Sequence, residues 1–110
     1  MHAKKGIRMA LRDYSKFDGM YDELKPLTQA VYGLLNEAIR ECGLNEAELN
    51  VVSHRYMFPK DVDKQVESCS EETGMPDSTV RYYSASALDK IYSYMNEHGE
   101  AYYARHYIRL

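Results

Sequence analysis

The sequence predicts one mainly α-helical domain. Apolar residues make up 45% of the 110 residues, charged residues of both signs make up 28%, and apolar positions recur at helical spacing through the middle of the chain. A chain of this length has room for one modest core, and its composition argues against wholesale disorder. No apolar run approaches the roughly 20 residues that cross a bilayer, and the N-terminus lacks the apolar stretch of a secretory signal. We therefore expect a cytoplasmic domain that makes no membrane contact.

The first 25 residues are expected to form an N-terminal arm or helix, with a strand as a further alternative, and Gly19 to interrupt it. Residues 26–110 then form the domain proper. Residues 1–16 hold five basic residues against Asp13, namely Lys4, Lys5, Arg8, Arg12 and Lys16. In a chain of net charge −3, phosphate can be bound only through such a local basic patch. The alternative is that this basic end is simply a solvated tail.

The clearest helix prediction runs from Pro26 to the glycine at position 43. Proline suits the first turn of a helix, and glycine suits the residue after its end. One face collects apolar residues at helical spacing. They are Leu27, Val31, Leu34, Leu35, Ala38, Ile39 and Cys42.

A second helix is predicted directly afterwards. Asn45 and Glu48 have the spacing of a capping box, and Leu44 and Leu49 that of a hydrophobic staple. The apolar stripe continues through Leu49, Val52 and Tyr56. Pro59 ends this helix, because proline disfavours helical geometry in the residue before it.

Two more helices follow. Asp61 or Asp63 can cap a short third helix that carries Val62, Val66 and Cys69 and ends at Gly74 in a left-handed C-cap. The fourth helix is expected to begin near Pro76-Asp77 and to run to about Met95, where the sequence "NEHG" breaks it. Its apolar positions are Val80, Tyr83, Ala87, Leu88, Ile91, Tyr94 and Met95.

The C-terminal stretch "AYYARHYIRL" alternates well enough for a short β element, although one or two helical turns fit it as well. A strand needs a partner. The candidates are residues 92–95, which would make a hairpin wing, and residues 7–11 near the N-terminus.

Residues 61–95 have the pattern of a helix-turn-helix, in which two short helices cross steeply around a tight turn. Ser70 supplies the small side chain at the crossing, and Gly74 supplies the residue that tolerates positive φ. The buried face would come from Cys69, Met75, Val80 and Tyr83. We take this unit as the centre of the fold.

The stretches "LNEAELNVVSHRYM" and "VESCSEETGMPDSTVRYYSASALDKI" resemble region 4 of bacterial sigma factors and the sigma-like regulators of phages and mobile elements. The resemblance covers about half of the chain. The matching positions are Leu44, Glu48, Arg55, Tyr56, Ser70, Gly74, Ser78, Thr79, Val80, Ala87 and Leu88. It implies a transcription regulator that binds DNA through its second motif helix.

The sequence departs from that family at Ser70, where alanine is usual, at Thr73, where leucine is usual, and in having few basic residues after the motif. The stretch "TGMPDSTVRYY" is also similar to the start of mercury-resistance-type regulators and other winged-helix repressors. In those proteins the paired tyrosines lead into a wing, so a C-terminal wing stays an alternative.

We predict sequence-specific binding of double-stranded DNA as a transcription regulator of phage or mobile-element type, without a cofactor. The motif helix would enter the major groove, and basic residues near the N-terminus would hold phosphates. The candidate DNA-binding residues are Ser78, Thr79, Arg81, Tyr82, Ala85, Lys4, Lys5 and Arg8. For Arg81 the alternative is a solvated surface arginine, and for Ser78 and Thr79 it is a role in starting the helix.

A small module of this kind rarely binds tightly alone, so a homodimer on paired half-sites is expected. Seven of the 11 tyrosines follow residue 81. Tyrosine is common both in cores and at interfaces, because it joins apolar area to a polar tip. The sequence therefore predicts that Tyr102, Tyr103 or Tyr107 lies near a dimer interface.

The main objection to DNA binding is the acidity of residues 61–73. Five acids, namely Asp61, Asp63, Glu67, Glu71 and Glu72, face a single cation, Lys64. The rival interpretation is a protein-interaction module that binds RNA polymerase, a repressor or a defence protein. A third is an assembly protein that reuses the motif.

No enzymatic activity and no metal site are predicted. The histidines lack a neighbouring nucleophile pattern, and no phosphate-binding glycine loop is present. Cys42 and Cys69 form no metal-binding spacing, so two buried thiols are expected.

Overall fold

The computed structural model describes residues 4–14, 25–61 and 63–105, and across them the chain is mainly helical, without a strand. Five α-helices lie in these ranges: α1 (Lys4–Arg12), α2 (Pro26–Glu41), α3 (Glu46–Val51), α4 (Gln65–Thr73) and α5 (Asp77–Arg105). A π-helical segment, Val52–Met57, continues α3. The prediction of a mainly α-helical fold is confirmed. None of these helices combines the length and the apolar character needed to cross a bilayer.

Helix α2 begins at Pro26 and ends before Gly43, whose φ is 85°, as its proline and glycine predict. Four residues of its predicted apolar face or next to it are fully or almost fully buried: Ala30, Leu34, Leu35 and Ala38. The prediction was wrong for Leu27, which is 50% exposed. Leu27 lies in the first turn of the helix.

Helix α3 begins with the predicted capping box. The Asn45 side chain accepts a hydrogen bond from the Glu48 backbone N–H at 2.8 Å, and the Glu48 carboxylate accepts one from the Asn45 N–H at 2.9 Å. Val52 and Tyr56 are buried as expected, but Leu49 is 43% exposed and does not belong to the apolar stripe. The π-helical segment closes with a bond from Phe58 N–H to the Ser53 carbonyl, just before Pro59.

The main hydrophobic core joins α1, α2, the π-helical segment and α5. Helix α1 contributes Ile7 and Leu11, both buried, so it is part of the folded unit. Helix α5 contributes a stripe at helical spacing that consists of Ala87, Leu88, Ile91, Met95, Tyr102 and Tyr103. Because the stripe extends to Tyr103, α5 is held against this core from Ala87 almost to its last residue.

A second, smaller core lies at the other end of α5. Its buried members are Val51, Val66, Cys69 and Val80, with Met75 and Tyr83 packed against them. It joins α3 and α4 to the first turns of α5, and the burial predicted for Cys69 and Val80 is confirmed.

The turn between α4 and α5 is closed by short-range hydrogen bonds. Gly74 has a φ of 75°, as predicted, and its N–H donates to the Ser70 carbonyl at 2.9 Å. The Ser70 hydroxyl donates to the Met75 carbonyl, and the Thr73 hydroxyl donates to the Cys69 carbonyl at 2.7 Å. Ser70 therefore contributes its hydroxyl as well as its small size, because the hydroxyl donates a hydrogen bond to a carbonyl of the turn.

Helix α5 is longer than predicted. The "NEHG" stretch lies inside it, and Gly99 is buried. Glycine in a helix costs about 1 kcal/mol relative to alanine, which is offset here because a continuous helix buries Tyr102 and Tyr103. The prediction of a break at this point was wrong.

The prediction of a short C-terminal β element was also wrong for the residues that the structure describes. Residues 101–105 are helical, and both candidate partners, residues 92–95 and 7–11, lie in α5 and α1. Residues 106–110, Gly19 and Val62 lie outside the described residues.

Candidate nucleic-acid interface

One exposed stripe runs along the first turns of α5. Ser78, Arg81, Tyr82 and Ala85 follow one another at three- and four-residue steps, which places them on one face of a helix, and all four are exposed. We call these four residues the α5 stripe. Thr79, at its flank, is half-buried. The opposite side carries Val80 and is buried in the second core, so the stripe faces outward.

Tyr82 is the most prominent side chain of the stripe. It is 69% exposed and makes an edge-to-face contact with Tyr83, with ring centroids 5.3 Å apart and planes at 75°. Tyr83 packs in turn on the second core. An aromatic pair of this geometry is favourable beyond its buried area, so Tyr83 supports a tyrosine that otherwise lies in solvent.

Helix α1 presents a basic outer face. Ile7 and Leu11 point into the main core, while Lys5, Arg8 and Arg12 are exposed. Lys5 and Arg8 form no ion pair with another described residue, so both cations are available to an anionic ligand. The expected basic surface near the N-terminus thus belongs to a packed helix.

Lys4 differs from Lys5 and Arg8. Its ammonium group forms an ion pair with Asp89 of α5 and lies 5.7 Å from the centroid of the Tyr92 ring. The structure therefore brings Lys4 to α5, one turn beyond Ala85, and gives it a protein partner.

Helix α4 presents an acidic surface. Glu67, Glu71 and Glu72 are all exposed, and Lys60 lies 3.5 Å from Glu72. Since α4 shares the Gly74 turn with α5, these carboxylates lie on the element next to the α5 stripe. Any anion that approaches both helices meets their repulsion.

A buried ionic cluster, which the sequence did not predict, fixes α3 to α5. The Glu48 carboxylate is fully buried. It accepts hydrogen bonds from the Lys90 ammonium at 2.6 Å and from the Ser86 hydroxyl, and Lys90 also donates to the Gly43 carbonyl at 3.2 Å. Glu48 was predicted as a capping residue only. The 42-residue separation from Lys90 leaves no local signal for the pair.

The surroundings of Glu48 determine its charge. Burial pushes the pKa of Glu48 upward, but hydrogen bonds from Asn45, Lys90 and Ser86 outweigh burial and hold the pKa below its ordinary value. Glu48 is therefore ionised at neutral pH. It anchors the first turn of α3 beside the middle of α5.

The far half of α5 has its own polar contacts. Tyr94 donates a hydrogen bond to Glu37 at 2.8 Å, and Arg105 lies 3.7 Å from the same carboxylate. Burial, the bond to Glu37 and nearby negative charge raise the pKa of Tyr94 to about 12. Tyr102 and Tyr103 are buried. They form part of the core of the single chain, so the structure does not support a dimer interface at these two residues, and Tyr107 lies outside the described residues.

Neither cysteine lies in an arrangement that suggests chemistry. Cys69 is buried in the second core, and Cys42 is half-buried at the end of α2. Burial raises the pKa of both thiols, which makes them weak nucleophiles at neutral pH. No group of histidine, cysteine and carboxylate side chains among the described residues is arranged to hold a metal ion.

Comparisons of the chain with protein-family models, curated proteins and solved structures found no match.

Proposed function

We propose that this domain is a sequence-specific double-stranded DNA-binding protein that regulates transcription in the cytoplasm, with α4, the Gly74 turn and α5 acting as a helix-turn-helix. The α5 stripe carries the proposal. Its four side chains are exposed along one face while Val80 and Cys69 anchor the other. A helix held by one face with the other free is what entry into a major groove requires.

Each residue of the stripe has a part in this proposal. Arg81 donates two hydrogen bonds to a guanine edge. Ala85 lets the helix approach closely and contacts a thymine methyl group. Ser78 and Thr79 lie at the N-terminal end of α5, where backbone N–H groups and the helix dipole favour a phosphate. Tyr82 contacts the sugar-phosphate backbone or a base edge.

Lys5 and Arg8 supply phosphate contacts from α1. Both are exposed and make no ion pair with a described residue. Phosphate contacts position a protein on the duplex without reading sequence, and each one releases condensed counterions. Binding is therefore expected to weaken steeply as salt is raised.

The resemblance to sigma region 4 and to phage sigma-like regulators supports a role in transcription. A homodimer on paired half-sites remains part of the proposal, because one small module gives limited affinity. Its interface lies elsewhere than at Tyr102 and Tyr103, which the single chain already buries.

The test of the proposal is a selection from random duplexes at about 100 mM salt, where long-range phosphate attraction is already partly screened. We expect one half-site to be enriched. Arg81→Ala should then weaken binding to it by about 1–3 kcal/mol and relax the preference at one base pair. Arg40→Ala is the matched control, because Arg40 is an exposed arginine on α2 that donates to the Asn36 carbonyl of its own helix and lies outside the α5 stripe. Enrichment that survives Arg81→Ala unchanged would contradict this reading of the α5 stripe.

One observation favours a second function, that of a module binding RNA polymerase, a repressor or a defence protein. Glu67, Glu71 and Glu72 form an exposed acidic surface on the helix next to the α5 stripe. Such a surface repels phosphate and attracts a basic protein partner. If no duplex is enriched and a cellular protein co-purifies stoichiometrically, with loss of that partner on Glu71→Lys, the interaction module is the better description.

A further inference from the structure

The α5 stripe has a negatively charged end. Asp89 follows Ala85 by four residues and Tyr82 by seven, so it continues the same face of α5. It lies about 6 Å further along the helix axis than Ala85. A duplex held against the stripe would bring a phosphate close to this carboxylate.

Lys4 compensates that charge. Its ammonium group pairs with Asp89, and the two side chains remain 53% and 59% exposed. Lys4 belongs to the first turn of α1, and burial of Ile7 and Leu11 in the main core holds that helix in place. Exposed ion pairs contribute little to folding, so the pair matters through the charge that it presents to a ligand.

We propose that Lys4 is a positioning residue that permits DNA binding by neutralising Asp89, so that the affinity of the α5 stripe depends on α1 remaining docked. This inference rests on the proposed function. It gives Lys4 a different role from Lys5 and Arg8: they contact phosphate directly, whereas Lys4 removes a repulsion.

A double-mutant cycle tests this role, with a labelled duplex from the random selection as the probe. Lys4→Gln should weaken binding about fivefold when Asp89 is present. Asp89→Asn should bind at least as tightly as the wild type. In the Asp89→Asn background Lys4→Gln should have almost no effect, and Lys4→Arg should behave as the wild type.

Lys5→Gln is the control, because a direct phosphate contact should be lost equally in both backgrounds. The slope of log affinity against log salt should fall by about 0.9 for Lys5→Gln, the value for one phosphate contact. The same slope should stay at the wild-type value for the double variant that carries both Lys4→Gln and Asp89→Asn. A purely structural role of the pair would instead lower the melting temperature of both single variants, and Asp89→Asn would then bind more weakly than the wild type.

The outcomes separate the two proposals. If the wild type selects no duplex, the proposed function fails and this inference fails with it. If the wild type binds but the effects of Lys4→Gln and Asp89→Asn are additive, only the inference is wrong. A slope that falls for Lys4→Gln in both backgrounds would show that Lys4 is an ordinary phosphate ligand, and this too overturns it.

Discussion

Glu48 is a fully buried carboxylate whose charge is stabilised by Lys90, Ser86 and the Asn45 N–H. The partners differ in exposure, because the Lys90 side chain is 38% exposed and Glu48 not at all. Removing Lys90 leaves a charge that cannot reach water. Removing Glu48 instead leaves the ammonium group of Lys90, which can reach water. Loss of Lys90 should therefore cost more stability than loss of Glu48.

Lys90→Met should destabilise the protein by about 2 kcal/mol at pH 7, since a buried anion loses its cation but keeps two other donors. Urea unfolding followed by circular dichroism measures this loss. Lys5→Met is the control: it removes an exposed lysine from α1 and should change stability little. Equal losses in the two variants would mean that Lys90 contributes only as a surface charge.

The pH dependence of the same pair has a defined sign. The pKa of Glu48 lies below its ordinary value of 4.5 in the folded protein. Its contribution to stability is thus present above pH 4.5 and is lost as the pH falls through the folded pKa. In Lys90→Met, burial dominates and should raise that pKa, so the deficit of the variant should shrink as the pH is lowered from 7 to 4. Urea midpoints across this range would reveal a constant deficit if Glu48 were not the group responsible.

Individual residues differ in how far the sequence predicts them. Asn45 and Glu48 were predicted as a capping box because both bonds of the motif close within three residues. The pairing of Glu48 with Lys90, and of Lys4 with Asp89, depends on how distant helices pack. No spacing rule relates such residues, so the sequence yielded the candidate DNA-binding residues on α5 but not the ionic cluster that links that helix to α3.

At the scale of elements, Gly74 is the residue that sets the turn between α4 and α5. A Cβ at this position would meet no atom within 4 Å, but φ is +75°, so the only penalty for a side chain is backbone strain. Gly74→Ala should therefore destabilise the protein by about 1 kcal/mol. The matched control is Gly6→Ala in α1, where a Cβ is equally free of contacts and φ is helical. It should stabilise by about 0.5–1 kcal/mol.

Thermal or urea unfolding of the two glycine variants measures the contrast. Opposite signs are expected, because the substitutions are sterically alike and differ in backbone conformation alone. If Gly74→Ala were as stable as the wild type, the left-handed turn would not be needed to join α4 to α5.

Elements with local start and stop signals were predicted well, and α5 shows why the others were not. Pro26, Gly43 and Gly74 mark helix ends through their own backbone preferences. The "NEHG" stretch has the same appearance, yet burial of Gly99, Tyr102 and Tyr103 against the main core carries the helix through it. The alternation in the C-terminal stretch likewise indicated a strand, but residues 101–105 are helical because Tyr102 and Tyr103 pack into the main core. Local propensity cannot anticipate such tertiary packing.

For the molecule as a whole, the two cores should differ in the free energy that local unfolding requires. Among the described residues the second core has four buried members, whereas the main core has 16, drawn from α1, α2, the π-helical segment and α5. Val80→Ala removes buried methyl groups from the second core and should lower the free energy of unfolding by about 2 kcal/mol. Native-state hydrogen exchange should show faster exchange in α4, with amides of α2 less affected. Ile91→Val in the main core should instead speed exchange in α2. Identical patterns for the two variants would mean that the cores open together.

Tyr103 gives a test of where the C-terminal tyrosines act. Because its side chain is almost fully buried in the main core, Tyr103→Ala should destabilise the single chain by about 3 kcal/mol or more. Unfolding should show this loss at every protein concentration. If Tyr103→Ala instead kept its stability at low protein concentration and lost only self-association in sedimentation, Tyr103 would act at a dimer interface.

The continuous α5 gives the molecule a mechanical property. A helix of 29 residues is about 44 Å long, and it is gripped near its middle by Ile91 and Met95 and near its end by Tyr102 and Tyr103. Arg81 and Tyr82 lie at its other end, on the turns that Val80 anchors in the second core. A partner that tilted the tyrosine end by a few degrees would therefore displace those two side chains together with the second core.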